Sequence, residues 1–167
     1  MRGGVPPDWI DKARALARAL PAGAPTVDLS GLTDVEDPEY VRLRESIQNV
    51  RVYFDSGAPD PSVGQETALD QIASDTRTII DVARRLGFSV RLAIVGHADS
   101  RGKQTTNLGL SIARAEVVRS LLRKRGIEPY LLSVRGTGTL EPLKEGEAPD
   151  DLSLNRCVTV TVVNVSE

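Results

Sequence analysis

Cysteine, histidine, tryptophan and methionine each occur once in this chain of 167 residues. The single thiol, Cys157, rules out an internal disulfide. The single imidazole, His97, has only Asp99 near it in sequence, so a metal site of the usual histidine or cysteine type has too few ligands. Aromatic residues make up 4% of the chain, too few for the stacking platforms that hold single-stranded nucleic acid. Positive charge is not in excess either. Twenty-one Lys and Arg stand against 23 Asp and Glu, and a net charge of -2 argues against a nucleic-acid partner, which demands a basic stripe. No apolar run approaches the roughly 20 residues of a transmembrane helix. The start, Met1-Arg2-Gly3-Gly4-Val5-Pro6-Pro7, lacks the apolar stretch of a secretory signal. No paired-carboxylate or nucleophile–base motif stands out, and pairing His97 with Cys157 has no support in their spacing. The expectation is a protein without catalytic residues, metal or cofactor.

Hydrophobic residues at 40% and charged residues at 26% suit a globular chain, long enough for one domain with an appendage. Residues 1–33 read as a short helix–strand unit. Trp9, Ile10, Ala13, Leu16, Ala17 and Leu20 form a helical stripe after Pro7, and Thr26 to Leu29 alternates like a brief strand. Residues 34–49 read as a connecting helix, with Asp37 as its cap and Pro38 in its first turn, reaching about Gln48.

The main domain is expected over 50–167. Its first strand is Val50 to Phe54, followed by an irregular loop around Pro59-Asp60-Pro61 and a helix over 65–86 that ends at Gly87. A second strand, Ser89 to Val95, leads to a helix over 107–125, and a third strand covers Leu131 to Arg135. The polar segment from Lys144 to Ser153 reads as a loop. The last strand, Arg156 to Val163, alternates Val158, Val160 and Val162 with Thr159 and Thr161, so one of its faces is buried. This order predicts an α/β (α+β two-layer) fold, a βαβαββ mixed sheet with helices on one face.

The stretch from Gly96 to Ala115 carries the chemistry. Asp99 stands in a loop at the carboxyl end of a strand, where open α/β sheets hold ligands. Asn107, Ser111 and Arg114 share one face of the helix that follows. A carboxylate near a guanidinium gives one acceptor for a cation and one fork for an anion, which matches the ammonium and carboxylate of an amino-acid head group. The bland alternatives are a turn role for Asp99 and a solvated helix position for Arg114. Asn107 is expected to cap its helix first and touch a ligand second. His97 and Cys157 read as a structural or pocket-lining histidine and a small sheet residue.

The pattern Gly96-His97-Ala98-Asp99-Ser100-Arg101-Gly102, then Asn107-Leu108-Gly109-Leu110-Ser111-Ile112-Ala113-Arg114-Ala115, resembles the peptidoglycan-binding signature of OmpA-like C-terminal domains. The likeness extends from about Val50 to Val163 and takes in Val52 to Gly57, Ser133 to Gly138 and Asn155-Arg156. It implies non-covalent binding, without cleavage, to the diaminopimelate of a peptidoglycan stem peptide. Asp99 and Arg114 would hold the free amino-acid end, with the loop from Ser100 to Asn107 enclosing the stem. Ser111 and Arg156 complete the candidate set. The closing Asn155-Arg156 resembles the family's N-R-R-V, with Cys157 in place of the second arginine and Asp150 to Leu154 in place of the usual glycine–arginine. The other reading of Arg156 is a pairing with Asp150, Asp151 or a sheet-edge carbonyl. The resemblance further implies a periplasmic, wall-associated part of a larger envelope protein linked to the outer membrane. Residues 1–33 loosely resemble the end of a BON-type domain. The competing reading is a protein-interaction scaffold of the same fold that has lost wall binding. Replacing Asp99 or Arg114 is expected to remove binding and spare stability.

Overall fold

The computed structural model describes residues 37–165; the unit read over residues 1–33 lies outside them. Helix α1 runs over Pro38–Asn49. Asp37 caps it, accepting from the Tyr40 backbone N–H at 2.9 Å, and Pro38 sits at its first position, where no backbone donor is needed. Tyr40, Leu43 and Ile47 recur at helical spacing and are buried. Tyr40 donates its hydroxyl to Asn164 Oδ1 and meets Phe88 edge-on at 5.2 Å.

Four strands follow: β1 (Arg51–Tyr53), β2 (Ser89–His97), β3 (Leu132–Gly138) and β4 (Cys157–Val165). Between them lie α2 (Glu66–Arg85), α3 (Gln104–Lys124), a 3-10 turn (Pro129–Leu131) and α4 (Pro149–Asn155). The sheet order is β1-β4-β2-β3, with β4 antiparallel to both neighbours and β2 parallel to β3. β1 and β2 therefore point the same way and end at the same edge of the molecule, where β4 begins. That shared edge creates the site.

Both long helices end on a glycine with positive φ, Gly87 (84°) and Gly126 (85°). In each case the next residue, Phe88 or Ile127, donates back to the helix, closing its last carbonyls. One face of the sheet carries Val52, Leu92, Ile94, Val158, Val160 and Val162. These pack with Ile47 of α1, Ile72 and Ile79 of α2, and Val118 and Leu122 of α3 in one core. Arg91, Thr161 and Arg135 belong to the opposite, open face and are exposed.

Two glycines set how closely α3 lies on the sheet. A Cβ at Gly96 would fall 1.9 Å from the Ser111 carbonyl oxygen, and one at Gly136 would fall 2.5 Å from the Ser111 hydroxyl. No other residue fits there.

Element identities match the sequence reading apart from one added helix, and several bounds shift: β1 is shorter at both ends, at Arg51–Tyr53, and β4 runs on to Val165. β2 and β3 run on to His97 and Gly138, beyond the expected ends at Val95 and Arg135. The helix expected from residue 107 starts at Gln104. The segment read as a loop to Ser153 contains α4, whose first turn holds Pro149, Asp150 and Asp151, a composition suited to a helix start.

Candidate functional site

At the common edge of β1, β2 and β4, the loops after β1 and β2 and the residue before β4 surround a cavity of about 290 Å³. Asp99, Arg114 and Arg156 line it together, with Ser56, Gly57, Thr106, Asn107 and Leu110. One carboxylate and two guanidiniums thus share a small concave space. Ser100 is exposed and Ser111 is buried, and neither lines it.

The Asp99 loop is held from three directions. Oδ1 accepts the Arg101 backbone N–H at 3.2 Å, a local turn of the kind aspartate favours. Oδ2 accepts Arg156 Nη1 at 3.1 Å. The Asn107 amide donates to the carbonyls of Asp99 (3.1 Å) and Arg101 (2.8 Å), pinning the loop to α3. Asn107 is therefore not the helix cap. Position 103 is the cap residue, without a side-chain bond, and Asn107 serves the loop from inside the first turn. Gly102, at φ 92°, lets the chain reverse there.

Arg114 is no solvated helix residue. It is 1% exposed, and its three nitrogens each donate to a backbone carbonyl: Nε to Ala58 (2.9 Å), Nη1 to His97 (3.2 Å), Nη2 to Asp55 (3.0 Å). Its Cζ lies 5.1 Å from the Phe54 ring centroid, a cation–π distance. A guanidinium carries five N–H groups, so one hydrogen on each Nη is left beyond these bonds. Burial pulls its pKa below the ordinary value, with Asp99 opposing and the like charge of Arg156 adding to the fall. Arg114 ties the β1 loop to the end of β2 and lends the cavity a fixed positive charge.

Arg156 pairs with neither Asp150 nor Asp151. Its Nη1 meets Asp99 and its Nε donates to the Phe54 carbonyl at 3.4 Å. Ser111 clamps α3 to β3, donating to the Leu108 carbonyl (2.8 Å) and accepting the Gly138 N–H (2.9 Å).

His97 points away from the cavity. Its Nδ1 lies 3.0 Å from the Glu141 carbonyl and 3.2 Å from Thr137 Oγ1, and its Nε2 lies 3.1 Å from Thr159 Oγ1. The carbonyl can only accept, which assigns the proton to Nδ1 in the neutral ring. Burial, above all, lowers its pKa from 6.5, and Arg135 and Arg51 add to the fall. Cys157 is buried, and burial pushes its thiol up to about 11, far from a reactive thiolate. Among the described residues, no three His, Cys, Asp or Glu side chains cluster as metal ligands, and no helix is long and apolar enough to cross a membrane.

The family model described as the OmpA family matches residues 53–156, most of the chain and the whole of this site. The chain belongs to the OmpA family. Outer membrane protein A of Bordetella avium is 29% identical over 115 residues, covering 69% of this chain and 55% of that protein. This OmpA-family chain thus spans about half of that relative's length. A peptidoglycan-associated lipoprotein of Pseudomonas aeruginosa is 30% identical over 117 residues, covering 62% of this chain and 70% of the lipoprotein. Among solved structures, the peptidoglycan-associated lipoprotein from Burkholderia pseudomallei matches with a TM-score of 0.58 at 24% identity, covering 68% of this chain and 89% of that one. That likeness bears on the fold alone: a four-stranded mixed sheet with helices.

Ser56, Gly57, Thr106 and Leu110 are lining residues that spacing did not single out. The first two lie in the loop after β1, three and four residues past Tyr53, and the parallel run of β1 and β2 brings that loop to Asp99.

Proposed function

We propose that this chain binds peptidoglycan non-covalently through the free amino-acid end of diaminopimelate in a stem peptide, tethering an envelope protein to the wall in the periplasm. The observation that carries the reading is the shared cavity of Asp99, Arg114 and Arg156. Asp99 receives the ligand ammonium, and the guanidinium side of the cavity receives the carboxylate. Thr106 and Asn107, at the start of α3, and the loop from Ser100 enclose the stem. In this reading the bound peptide is held and not cut. Ser100 and Ser111 act outside the cavity, one on the exposed rim and one as the clamp beneath it.

Charge-assisted hydrogen bonds contribute about 1.5–3 kcal/mol each. Two or three of them, less the entropy of ordering, give modest affinity for a single stem. The wall is a polymer with repeated stems, so several tethers on one assembly multiply it. The name of one relative agrees: the Pseudomonas aeruginosa protein is a peptidoglycan-associated lipoprotein.

The test is co-sedimentation with purified sacculi of the diaminopimelate type. The native chain pellets with the sacculi. Asp99→Asn, which keeps an acceptor for the Arg101 N–H, stays in the supernatant and still melts cooperatively. A native chain that remains in the supernatant supports the scaffold reading instead, in which the bond between Asp99 and Arg156 is a permanent closure. Soluble muropeptides released during incubation would point to hydrolysis.

A further inference from the structure

The two guanidiniums of the cavity are held very differently. Arg114 is locked by three backbone carbonyls and is 1% exposed. The Arg156 side chain is 20% exposed, its Nε bond to Phe54 is long at 3.4 Å, and its Nη2 donates to nothing among the described residues. Its backbone is fixed, since the Arg156 carbonyl accepts the Phe54 N–H at 2.9 Å. The side chain is tied by the long Nε bond and by the Asp99 carboxylate at 3.1 Å alone.

We propose that Arg156 is an exchangeable latch that makes this site selective for an amino-acid terminus with a free carboxylate over the same terminus as a carboxamide. The inference rests on the stem-peptide reading above and names the chemical form of the ligand. An incoming ammonium must displace Arg156 Nη1 from Asp99 Oδ2. The released guanidinium then lies unpaired in a partly buried cavity beside the fixed charge of Arg114, a costly arrangement. A carboxylate on the same carbon as the ammonium accepts from it, and its planar fork suits two parallel bonds. One ion pair is exchanged for two. A carboxamide carries no charge, so the displaced arginine stays uncompensated and the latch stays shut.

Isothermal titration of the full chain with two probes tests this. The probes are the tripeptide stem ending in diaminopimelate, and the same tripeptide amidated only at the carboxyl on the carbon that bears the free ammonium. The native chain binds the free acid at least tenfold more tightly than the amide. Arg156→Gln binds the acid more weakly than the native chain and the amide more tightly, because Asp99 no longer has a competitor, and the ratio falls below threefold. Such a crossing cannot come from misfolding, which weakens both. Arg156→Lys keeps the charge without the fork and gives an intermediate ratio. Equal binding of both probes by the native chain, or an unchanged ratio in both variants, overturns the latch and leaves the wall reading standing. No binding of either probe by the native chain overturns the wall reading itself.

Discussion

Beneath the helices, Val52, Leu92, Ile94 and Val160 meet Ile47, Ile72 and Val118 in an apolar core. At the edge where β1 and β2 end and β4 begins, the Asp99 carboxylate and the guanidiniums of Arg114 and Arg156 share a cavity. The apolar layer gains from removing hydrocarbon from water and is indifferent to direction. The mouth concentrates charge in a small volume, and its members differ in what they do for the fold. Arg114 belongs to both regions: its charge faces the cavity while its bonds tie three segments of backbone together. Asp99 and Arg156 are held mainly by each other and by single backbone contacts.

The largest effect belongs to the core. Ile94→Ala removes a fully buried side chain and should cost about 4 kcal/mol in urea unfolding. Ligand affinity per folded molecule should not change. Arg114→Met comes next and sharpens the comparison, because it leaves the carbonyls of Asp55, Ala58 and His97 without their donor. At about 1 kcal/mol or more for each orphaned buried acceptor, a loss of about 3 kcal/mol is expected, together with loss of binding. A stability change below about 1 kcal/mol would show that Arg114 is only a ligand residue.

A smaller effect belongs to His97. Its folded pKa lies below 6.5, so the unfolded chain takes up the proton first as the pH drops. Stability from this group is intact above about 6.5 and declines as the pH falls from there toward the lower folded value. Melting midpoints between pH 7.5 and 5 check this, and His97→Asn should flatten that part of the profile. Asp99→Asn should cost about 2 kcal/mol, less than Arg114→Met, since it leaves the Arg156 guanidinium without its carboxylate in a largely buried pair. Its effect on wall binding is complete. Cys157 gives an independent probe of unfolding: a buried thiol with a pKa near 11 should resist thiol reagents at pH 8 until the chain unfolds.

The fold was readable because its signals are local. Alternation in Val158, Val160 and Val162, helical stripes in 66–85, and glycines at 87 and 126 each mark their element without knowledge of the rest. The motif between Gly96 and Ala115 likewise located the mouth. What spacing could not supply was the identity of partners far along the chain. Arg114 finds the Ala58 carbonyl 56 residues away, and Arg156 finds Asp99 57 residues away. A helical wheel places Asn107 on the correct face but cannot tell a cap from a loop anchor. The difference arose because the helix begins three residues earlier, at Gln104, which carries no cap signature. α4 is short, polar and started by Pro149, so its composition resembles a loop as much as a helix.

The most direct measurement is a heteronuclear NMR titration of the native chain with the diaminopimelate tripeptide. Amides of Gly57, Ala98, Asp99, Thr106 and Arg156 are predicted to shift together along one saturation curve, with those of Leu43, Ile79 and Leu122 still. Unmoved cavity amides at saturating peptide, or shifts confined to the open face around Arg91 and Thr161, would contradict the account.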